Sequence, residues 1–298
     1  MMKGKDKDKG KAQKGQSKGK AAEPAPKATP ANAGAAPAAT SPQTPPTAAP
    51  PAVEGGSLPL FYRNPVPVDR GRHGSMLLKE RRTYFYARGA TAVPLLGEEF
   101  PMMHAHYPIV FTPGADSTAV ALMGFRPNEN LFIRDDGSWE PQRPIPAYVR
   151  RYPFILMEVP GDQRMVLCVE EDAEVLGAVG DAALFNGDQA GPGAQAALEF
   201  CGAFNRSAMA TQAFCAAVSQ SGILVDQTAE ITTHTNQKLT LTGFRVVDEQ
   251  KFNALPDKLW LDWRQKGWVG LIYTHMLSLG RLEVLTNLTS QRLAPGAA

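Results

Sequence analysis

Residues 194–220 have the sequence AQAALEFCGAFNRSAMATQAFCAAVSQ, in which small and apolar residues recur at the spacing of one helix face. This stretch predicts one long helix that ends near Gly222. On such a helix Cys201 and Cys215 lie about 21 Å apart along the axis, so they cannot form a disulfide with each other. The predicted core-facing stripe consists of Ala197, Cys201, Phe204, Ala208, Cys215 and Val218.

Strand pairs are predicted on both sides of this helix, because short apolar and β-branched runs there are separated by turn residues. Two pairs precede the helix and the third follows it, with side chains alternating at a period of two around Leu239 and Leu241. The expected turns are residues 112–116, Pro160-Gly161-Asp162 and Asn236-Gln237. The expected pairs are residues 107–112 with 117–125, residues 152–159 with 164–169, and residues 229–235 with 238–247.

The chain after residue 247 is predicted to be helical. Asp248 suits a helix N-cap because its carboxylate accepts unpaired amides, and Pro256 suits the first turn of the next helix. The last helix is apolar on all sides in its first half, which predicts burial on most sides. The three expected helices cover residues 248–255, 257–266 and 267–289.

The order of these elements does not alternate as βαβ units do. The expected class is therefore α+β, with antiparallel strand pairs packed with a long mid-chain helix and a C-terminal helical segment. Two stretches complete the chain between these elements. Residues 75–88 are expected to be a strand or extended chain, and residues 172–193 to contain a short helix and a flexible glycine-rich loop at 187–193.

The charge is divided unequally along the 298 residues. Residues 1–56 contain nine Lys and four acidic residues, so their net charge is +5. The other 242 residues contain 22 basic and 25 acidic side chains, so their net charge is −3. A faintly acidic body excludes a basic nucleic-acid-binding domain. The Lys/Ala/Pro-rich residues 1–56 predict a disordered tail, and residues 57–298 a single domain. The tail is either a solvating segment or a weak contact for nucleic acid or an anionic membrane surface.

Compartment and membrane expectations follow from three observations. The chain has three Cys (Cys168, Cys201 and Cys215) and no C-x-x-C pair, which indicates free core thiols in a reducing compartment. No secretory signal is visible at the start. The uncharged apolar run Trp268 to Gly280 is shorter than the ~20 residues of a spanning helix. A soluble cytoplasmic protein without a transmembrane segment is expected, and no cofactor is predicted.

Residues 126–154 form the most unusual segment, because they combine carboxylates, guanidinium groups and an indole with several prolines. Guanidinium forks suit carboxylate or phosphate, and an indole offers a stacking face, so a polar ligand is one interpretation. The alternative is a structural loop in which Arg150 or Arg151 pairs with Asp135 or Asp136 and Trp139 enters the core. The ligand-binding candidates are Glu129, Asn130, Trp139, Arg150 and Arg151.

His104-Ala-His106 is the weak metal candidate, since residues i and i+2 of a strand share a face. A third ligand is missing at a suitable spacing, so an exposed or capping pair is the default and no metal is predicted. His275 lies on the apolar stripe of the last helix and is expected to be a core histidine. His73 and His234 are expected to be exposed because their neighbours are polar.

Several stretches resemble the SapC family of bacterial proteins and occur in the family's order over residues 58–292. The resemblance implies an association with bacterial surface layers or with outer-membrane receptor and flavin-halogenase-like loci, and it supplies no catalytic residues to carry over. The stretches are PVDRGRH (67–73), YPIVF (107–111), ALMGF (121–125), NENLF (128–132), GSW (137–139), RRYPF (150–154), LTGFRVVD (241–248) and GWVGLIYTHMLSL (267–279).

Three functional hypotheses remain open at this level. The first is a soluble, non-enzymatic accessory protein for cell-surface, surface-layer or outer-membrane uptake systems, with an unidentified protein or envelope partner. In this hypothesis the Lys-rich tail tethers a cytoplasmic protein peripherally to the envelope. The second is a small-molecule or peptide-modifying enzyme with its site in residues 126–154. The third and weakest is a nucleic-acid-associated protein that acts through the tail alone.

Overall fold

The computed structural model describes residues 58–159, 162–232 and 238–293. These residues all belong to one compact unit, Ala49–Ala298. The predicted tail of residues 1–56, His234, the turn at Asn236-Gln237 and the first two residues of the turn at 160–162 lie outside the described residues. The proposed boundary between tail and domain therefore stays a prediction.

The described residues form helices and strands in the mixed order that the sequence predicts, and the class is α+β. The helices are α1 (Arg70–His73), α2 (Phe100–Met103), α3 (Ala147–Arg151), α4 (Pro192–Gln220), α5 (Glu249–Asn253), α6 (Asp257–Gln265), α7 (Trp268–Ser278) and α8 (Leu282–Leu293). The strands are β1 (Pro65–Pro67), β2 (Leu77–Leu78), β3 (Ala92–Pro94), β4 (Ile109–Phe111), β5 (Ala119–Leu122), β6 (Phe154–Val159), β7 (Asp162–Glu170), β8 (Leu176–Gly177), β9 (Ala182–Ala183), β10 (Phe185–Asn186), β11 (Gln189–Ala190), β12 (Leu224–Thr232) and β13 (Lys238–Val247). Short 3₁₀ turns occupy Phe85–Ala87, Gly97–Glu99 and Leu279–Arg281.

All sheets of the described residues are antiparallel. The largest has the order β12-β13-β4-β5-β3, and smaller sheets have the orders β1-β7-β6 and β8-β2-β9, with β10-β11 as a separate hairpin. The three predicted strand pairs are confirmed as β4 with β5, β6 with β7, and β12 with β13. The third pair begins earlier than predicted, at Leu224 opposite Val247.

The long helix α4 connects two regions of the core, because its buried stripe runs along its whole length. Phe214, Cys215 and Val218 near its C-terminal end pack in the main cluster with the five-stranded sheet. Ala197 and Cys201 near its N-terminal end pack in a second cluster with Phe154 of β6 and Val169 of β7. Pro192 starts the helix two residues before the predicted start. The predicted end is confirmed at Gln220, and Gly222 follows with a φ of 75°, a conformation that favours glycine.

Residues 172–193 contain strands rather than the predicted short helix. β8 and β9 pair on either side of β2, and β10 and β11 form a hairpin through Gly187. The backbone at Gly180 approaches Leu78 so closely that an added Cβ would lie 2.4 Å from the Leu78 carbonyl oxygen. The glycines of this stretch therefore permit close strand packing, and the expected loop at 187–193 is a hairpin turn followed by the start of α4.

Two further predictions about local structure are wrong in part. The stretch 75–88, predicted as strand or extended chain, contains the strand β2 but ends in the 3₁₀ turn Phe85–Ala87. The single last helix is interrupted at Leu279–Arg281, where Gly280 weakens helix propensity and the Ser278 hydroxyl bonds to the His275 carbonyl. In α7 the side chain of Leu277 is 67% exposed, so the apolar first half is not buried on most sides.

Asp248 caps α5 as predicted, since its carboxylate accepts the Lys251 amide at 3.0 Å. His73 corrects the expectation of an exposed histidine, because its side chain is fully buried. Its Nδ1 accepts the Asp69 amide at 3.0 Å, and its Nε2 lies 3.1 Å from Oε1 of Glu171. The polar neighbours in sequence did not reveal this burial because Glu171 is 98 residues away.

Candidate functional site: a cationic pocket at the start of the long helix

The short helix α3 places two consecutive arginines on different faces. Pro146 precedes the helix, and Tyr152 and Pro153 follow it, so it ends at Arg151. Consecutive positions of a helix point about 100° apart. Arg150 is exposed and donates from Nε to the Ile145 carbonyl at 3.0 Å, whereas Arg151 turns into the protein.

Arg151 is only 9% exposed and lies among aromatic rings. Its guanidinium carbon is 4.4 Å from the ring centre of Phe204, 4.6 Å from that of Tyr148 and 5.5 Å from that of Tyr62. Nε and Nη2 are buried without a hydrogen-bond partner among the described residues. Side-chain hydrogen bonds with Arg151 partly oppose the effect of burial, which raises the pKa of Tyr62 and of Tyr148.

A pocket of about 290 Å³ lies where α3, β2 and the start of α4 meet, and we name it the arginine pocket. Its cationic residues are Lys79, Arg81, Arg150 and Arg151, and no carboxylate belongs to its described lining. Its apolar wall includes Phe154, Phe200 and Ala197. The pocket therefore combines positive charge with an apolar surface.

Arg81 is a second guanidinium of this pocket that lies against aromatic rings. Its Nη2 donates to the Tyr152 carbonyl, and its guanidinium carbon lies 5.1 Å from the Tyr86 ring centre and 5.6 Å from that of Tyr152. Its Nη1 is buried without a hydrogen-bond partner among the described residues. Two guanidinium groups of this pocket are thus held by ring faces rather than by carboxylates.

The first turns of α4 contribute Pro192, Gly193, Ala196 and Ala197 to the same pocket. A helix of 29 residues carries a partial positive charge at its N-terminus, because its first amides have no partner within the helix. This charge adds to that of the four basic side chains.

Cys201 also lines the pocket, but it is not a nucleophile at neutral pH. Burial raises the pKa of its thiol to about 11, and the nearby Arg151 charge only partly opposes this effect. The thiolate that would attack a substrate is therefore scarce.

All three thiols are expected to be protected from modification in the native chain. Burial raises the pKa of each of Cys168, Cys201 and Cys215 to about 11. We expect each thiol to react with Ellman's reagent at pH 8 roughly 100-fold more slowly than in the chain unfolded with guanidinium chloride. Fast reaction of any thiol in the native chain would contradict this burial.

The structure separates the other ligand-binding candidates from Arg150 and Arg151. Asn130 is fully buried, donates to the Ala87 carbonyl at 3.2 Å and accepts the Phe132 amide at 3.0 Å. Trp139 is 7% exposed, and its Nε1 donates to the Tyr107 hydroxyl at 3.1 Å. These two side chains support the loop, as the structural alternative predicts for Trp139.

The carboxylates of the same segment have local partners. Glu129 is 8% exposed and accepts from Nε of Arg126 at 3.0 Å. The alternative pairing of Arg150 or Arg151 with Asp135 or Asp136 is wrong. Arg88 lies 3.0 Å from Asp135, and Asp136 accepts from the amide and hydroxyl of Ser138.

The histidine pair is not on a strand. His104 and His106 follow α2, where Nδ1 of His104 lies 2.9 Å from the Pro101 carbonyl oxygen and Nδ1 of His106 lies 3.4 Å from Nη1 of Arg143. Within the described residues no group of three or more His, Cys, Asp or Glu could hold a metal ion.

Sequence reasoning missed Lys79, Arg81 and the start of α4. The available signal was the charged run Lys79-Glu80-Arg81-Arg82 beside an otherwise apolar strand. Nothing in that run shows that it shares a pocket with Arg151, because this proximity depends on tertiary packing.

A larger pocket of about 710 Å³ lies between α4 and the turn that joins β4 to β5. Its buried polar side chains are already bonded. Thr211 accepts the Gly97 amide at 2.8 Å and donates to the Ser207 carbonyl at 2.7 Å, and Tyr148 donates to the Leu60 carbonyl at 3.3 Å. It therefore lacks the unpartnered buried charge that distinguishes the arginine pocket.

The fold and the site define an α+β protein with a cationic, apolar-walled pocket. Residues 68–285 match the family model of SapC, which is more than half of the chain, and the chain belongs to the SapC family. Comparison with curated proteins and with solved structures finds no match. No helix within the described ranges is both long enough and apolar enough to cross a membrane.

Proposed function

We propose that this SapC family member is a soluble, non-enzymatic accessory protein of a bacterial cell-surface, surface-layer or outer-membrane uptake system. The observation that carries the proposal is the chemistry of the arginine pocket. Three of its four cations are guanidinium groups, which do not lose their proton in proteins. Such groups hold and orient an anion, but they are poor general acids and bases.

Buried titratable groups elsewhere also serve structural bonds. Glu99 accepts the amides of Leu96 at 3.1 Å and Ala147 at 2.7 Å. His275 is fully buried and bonds to the main chain of Ile109 and Val247. These contacts support a role in binding, because the groups are committed to the fold.

The Lys-rich residues 1–56 supply a contact to an anionic surface in this proposal. Their net charge of +5 contrasts with the −3 of the remaining chain. Each lysine near an anionic membrane contributes about 1 kcal/mol, and salt screens this attraction. A cytoplasmic protein with this tail associates peripherally with the envelope.

Deletion of residues 2–56 is expected to reduce binding to phosphatidylglycerol-containing vesicles at least about tenfold at low salt. Co-sedimentation of the full chain and the deletion variant at two salt concentrations measures this effect. A chain whose nine tail lysines are replaced by Gln keeps the tail length, and Lys251→Gln with Lys258→Gln removes two exposed lysines from the body as the matched control. Full-length protein that stays in the supernatant at low salt contradicts the tether, as does binding to an RNA oligonucleotide but not to vesicles.

The second candidate is a small-molecule or peptide-modifying enzyme. The observation that favours it is that Arg150 and Arg151, from the segment 126–154, line a pocket. The two candidates differ in what happens to a ligand during prolonged incubation with the full chain. Mass spectrometry that detects a product in molar excess over the protein supports the enzyme, and recovery of unchanged ligand supports the accessory role.

A further inference from the structure

We propose that the arginine pocket binds a small organic anion, with a carboxylate or phosphate group at Arg151 and an apolar aliphatic or aromatic body against Phe200 and Phe154. This inference rests on the proposed binding role and names the class of ligand. Neither the family match nor the resemblance assigns such a site.

The first support is the uncompensated charge of Arg151. A buried guanidinium without a carboxylate partner is unfavourable, because ring faces and the side chains of Tyr62 and Tyr148 replace its water without supplying a countercharge. Nε and Nη2 have no acceptor among the described residues. An anion that accepts from this guanidinium would supply the missing countercharge.

The second support is the positive charge of the groups that line the pocket. Lys79, Arg81 and Arg150 line the pocket together with the N-terminal turns of α4, and all of them favour an anion. The acids nearest in sequence to Lys79 and Arg81 are engaged elsewhere. Glu80 lies 3.2 Å from Nη2 of Arg82, and no described carboxylate lines the pocket.

The third support is the apolar wall, which limits the ligand to an amphiphilic molecule. Arg150 lies with its guanidinium carbon 5.3 Å from the ring centre of Phe200, so charge and ring face are adjacent. Leu78, Val175 and Ala197 extend the apolar surface. Inorganic phosphate would leave this surface empty, whereas a neutral apolar molecule would leave Arg151 unpaired.

The size of the pocket limits the class of ligand further. A volume of about 290 Å³ lies just below the ~300–1,000 Å³ that is typical of small-molecule pockets. It suits one ring or a short chain with one anionic group. A complete phospholipid or a nucleotide is too large to be enclosed.

Calorimetric titration of the full chain tests the inference with five probes: 3-phenylpropionate, phenyl phosphate, 3-phenylpropanol, inorganic phosphate and phosphatidylglycerol vesicles. We expect one of the two organic anions to bind at least about tenfold more tightly than the neutral alcohol and the inorganic ion. Its affinity falls as salt rises, because the attraction is partly electrostatic. Equal binding of the alcohol, or binding to vesicles only, overturns the proposal.

Variants locate the binding in the pocket. Lys79→Met with Arg150→Met removes two exposed cations, and Ala196→Phe fills the pocket from an exposed helix position. Each of these variants, and Arg151→Met as well, is expected to weaken binding of the organic anion about tenfold or more. The control Arg264→Met, on an exposed face of α6, retains wild-type affinity. If Arg151→Met fails to fold, the variants at the exposed positions Lys79, Arg150 and Ala196 still test whether the anion binds in the pocket.

Unchanged affinity in the folded pocket variants overturns the inference. Failure of the ligand assignment can be distinguished from failure of the accessory role. The pocket variants retain residues 1–56, so their vesicle binding can still be measured. If the probes do not bind but vesicle binding persists and depends on the tail, the ligand assignment is rejected and the accessory role stands.

Discussion

Acidification from pH 7 to pH 4 is expected to destabilise the protein by about 3 kcal/mol through His275 alone. The side chain is fully buried between β4 and β13, with Nδ1 donating to the Ile109 carbonyl at 2.7 Å and Nε2 accepting the Val247 amide at 3.0 Å. Burial lowers the pKa of this imidazole from 6.5 to about 4, and the bond to Ile109 only partly opposes the shift. Between these values the unfolded chain binds a proton that the folded chain does not, so stability falls as pH falls.

Urea unfolding at several pH values measures this effect in the full chain and in His275→Gln. The variant is expected to be less stable at pH 7 by about 1–3 kcal/mol, because a buried hydrogen bond is lost. The difference between the two proteins should shrink as the pH falls from 6.5 to 4. His104→Gln, at a half-exposed site after α2, is the control and retains the wild-type profile. A constant difference between wild type and His275→Gln at all pH values would disprove the linkage.

Replacement of Glu99 by Ala is expected to cost about 2–5 kcal/mol of unfolding free energy, since two buried amides lose their acceptor. Its carboxylate joins the amide of Leu96 to the amide of Ala147, the first residue of α3. Because α3 ends at Arg151, the same variant is expected to weaken binding of an organic anion in the arginine pocket.

Unfolding curves and titration with 3-phenylpropionate and phenyl phosphate measure the two effects of Glu99→Ala. Glu98→Ala is the matched control, because Glu98 is exposed and Glu99 is 5% exposed. We expect a large loss of stability in Glu99→Ala and a small one in Glu98→Ala. Equal stability of the two variants would show that the bond to Ala147 does not hold α3.

Local patterns were sufficient for the elements that depend on local interactions. The stripe on α4, the cap at Asp248 and the three strand pairs follow from spacing and turn residues within short segments. Residues 172–193 were predicted wrongly in part because β8 and β9 pair with β2, about 100 residues earlier. Only the packed structure shows that the glycines there serve close backbone contact.

The candidate site was predictable in part for the same reason. Arg150 and Arg151 were identified from their chemistry, but their partners were not, since Lys79, Arg81 and the N-terminus of α4 come from distant parts of the chain. The guanidinium of Arg151 lies on rings from three segments, Tyr62, Tyr148 and Phe204. The charge pattern of the sequence favoured carboxylate partners for Arg151, whereas the structure places aromatic ring faces against its guanidinium.

We propose that the arginine pocket is an anion-binding site, and no carboxylate belongs to its described lining. A crystal structure of the full chain with the tighter-binding of 3-phenylpropionate and phenyl phosphate tests it most directly. We expect the anionic group within hydrogen-bond distance of the Arg151 guanidinium and the ring against Phe200. An empty pocket at saturating probe, or a probe bound elsewhere with Arg151 unchanged, would contradict it.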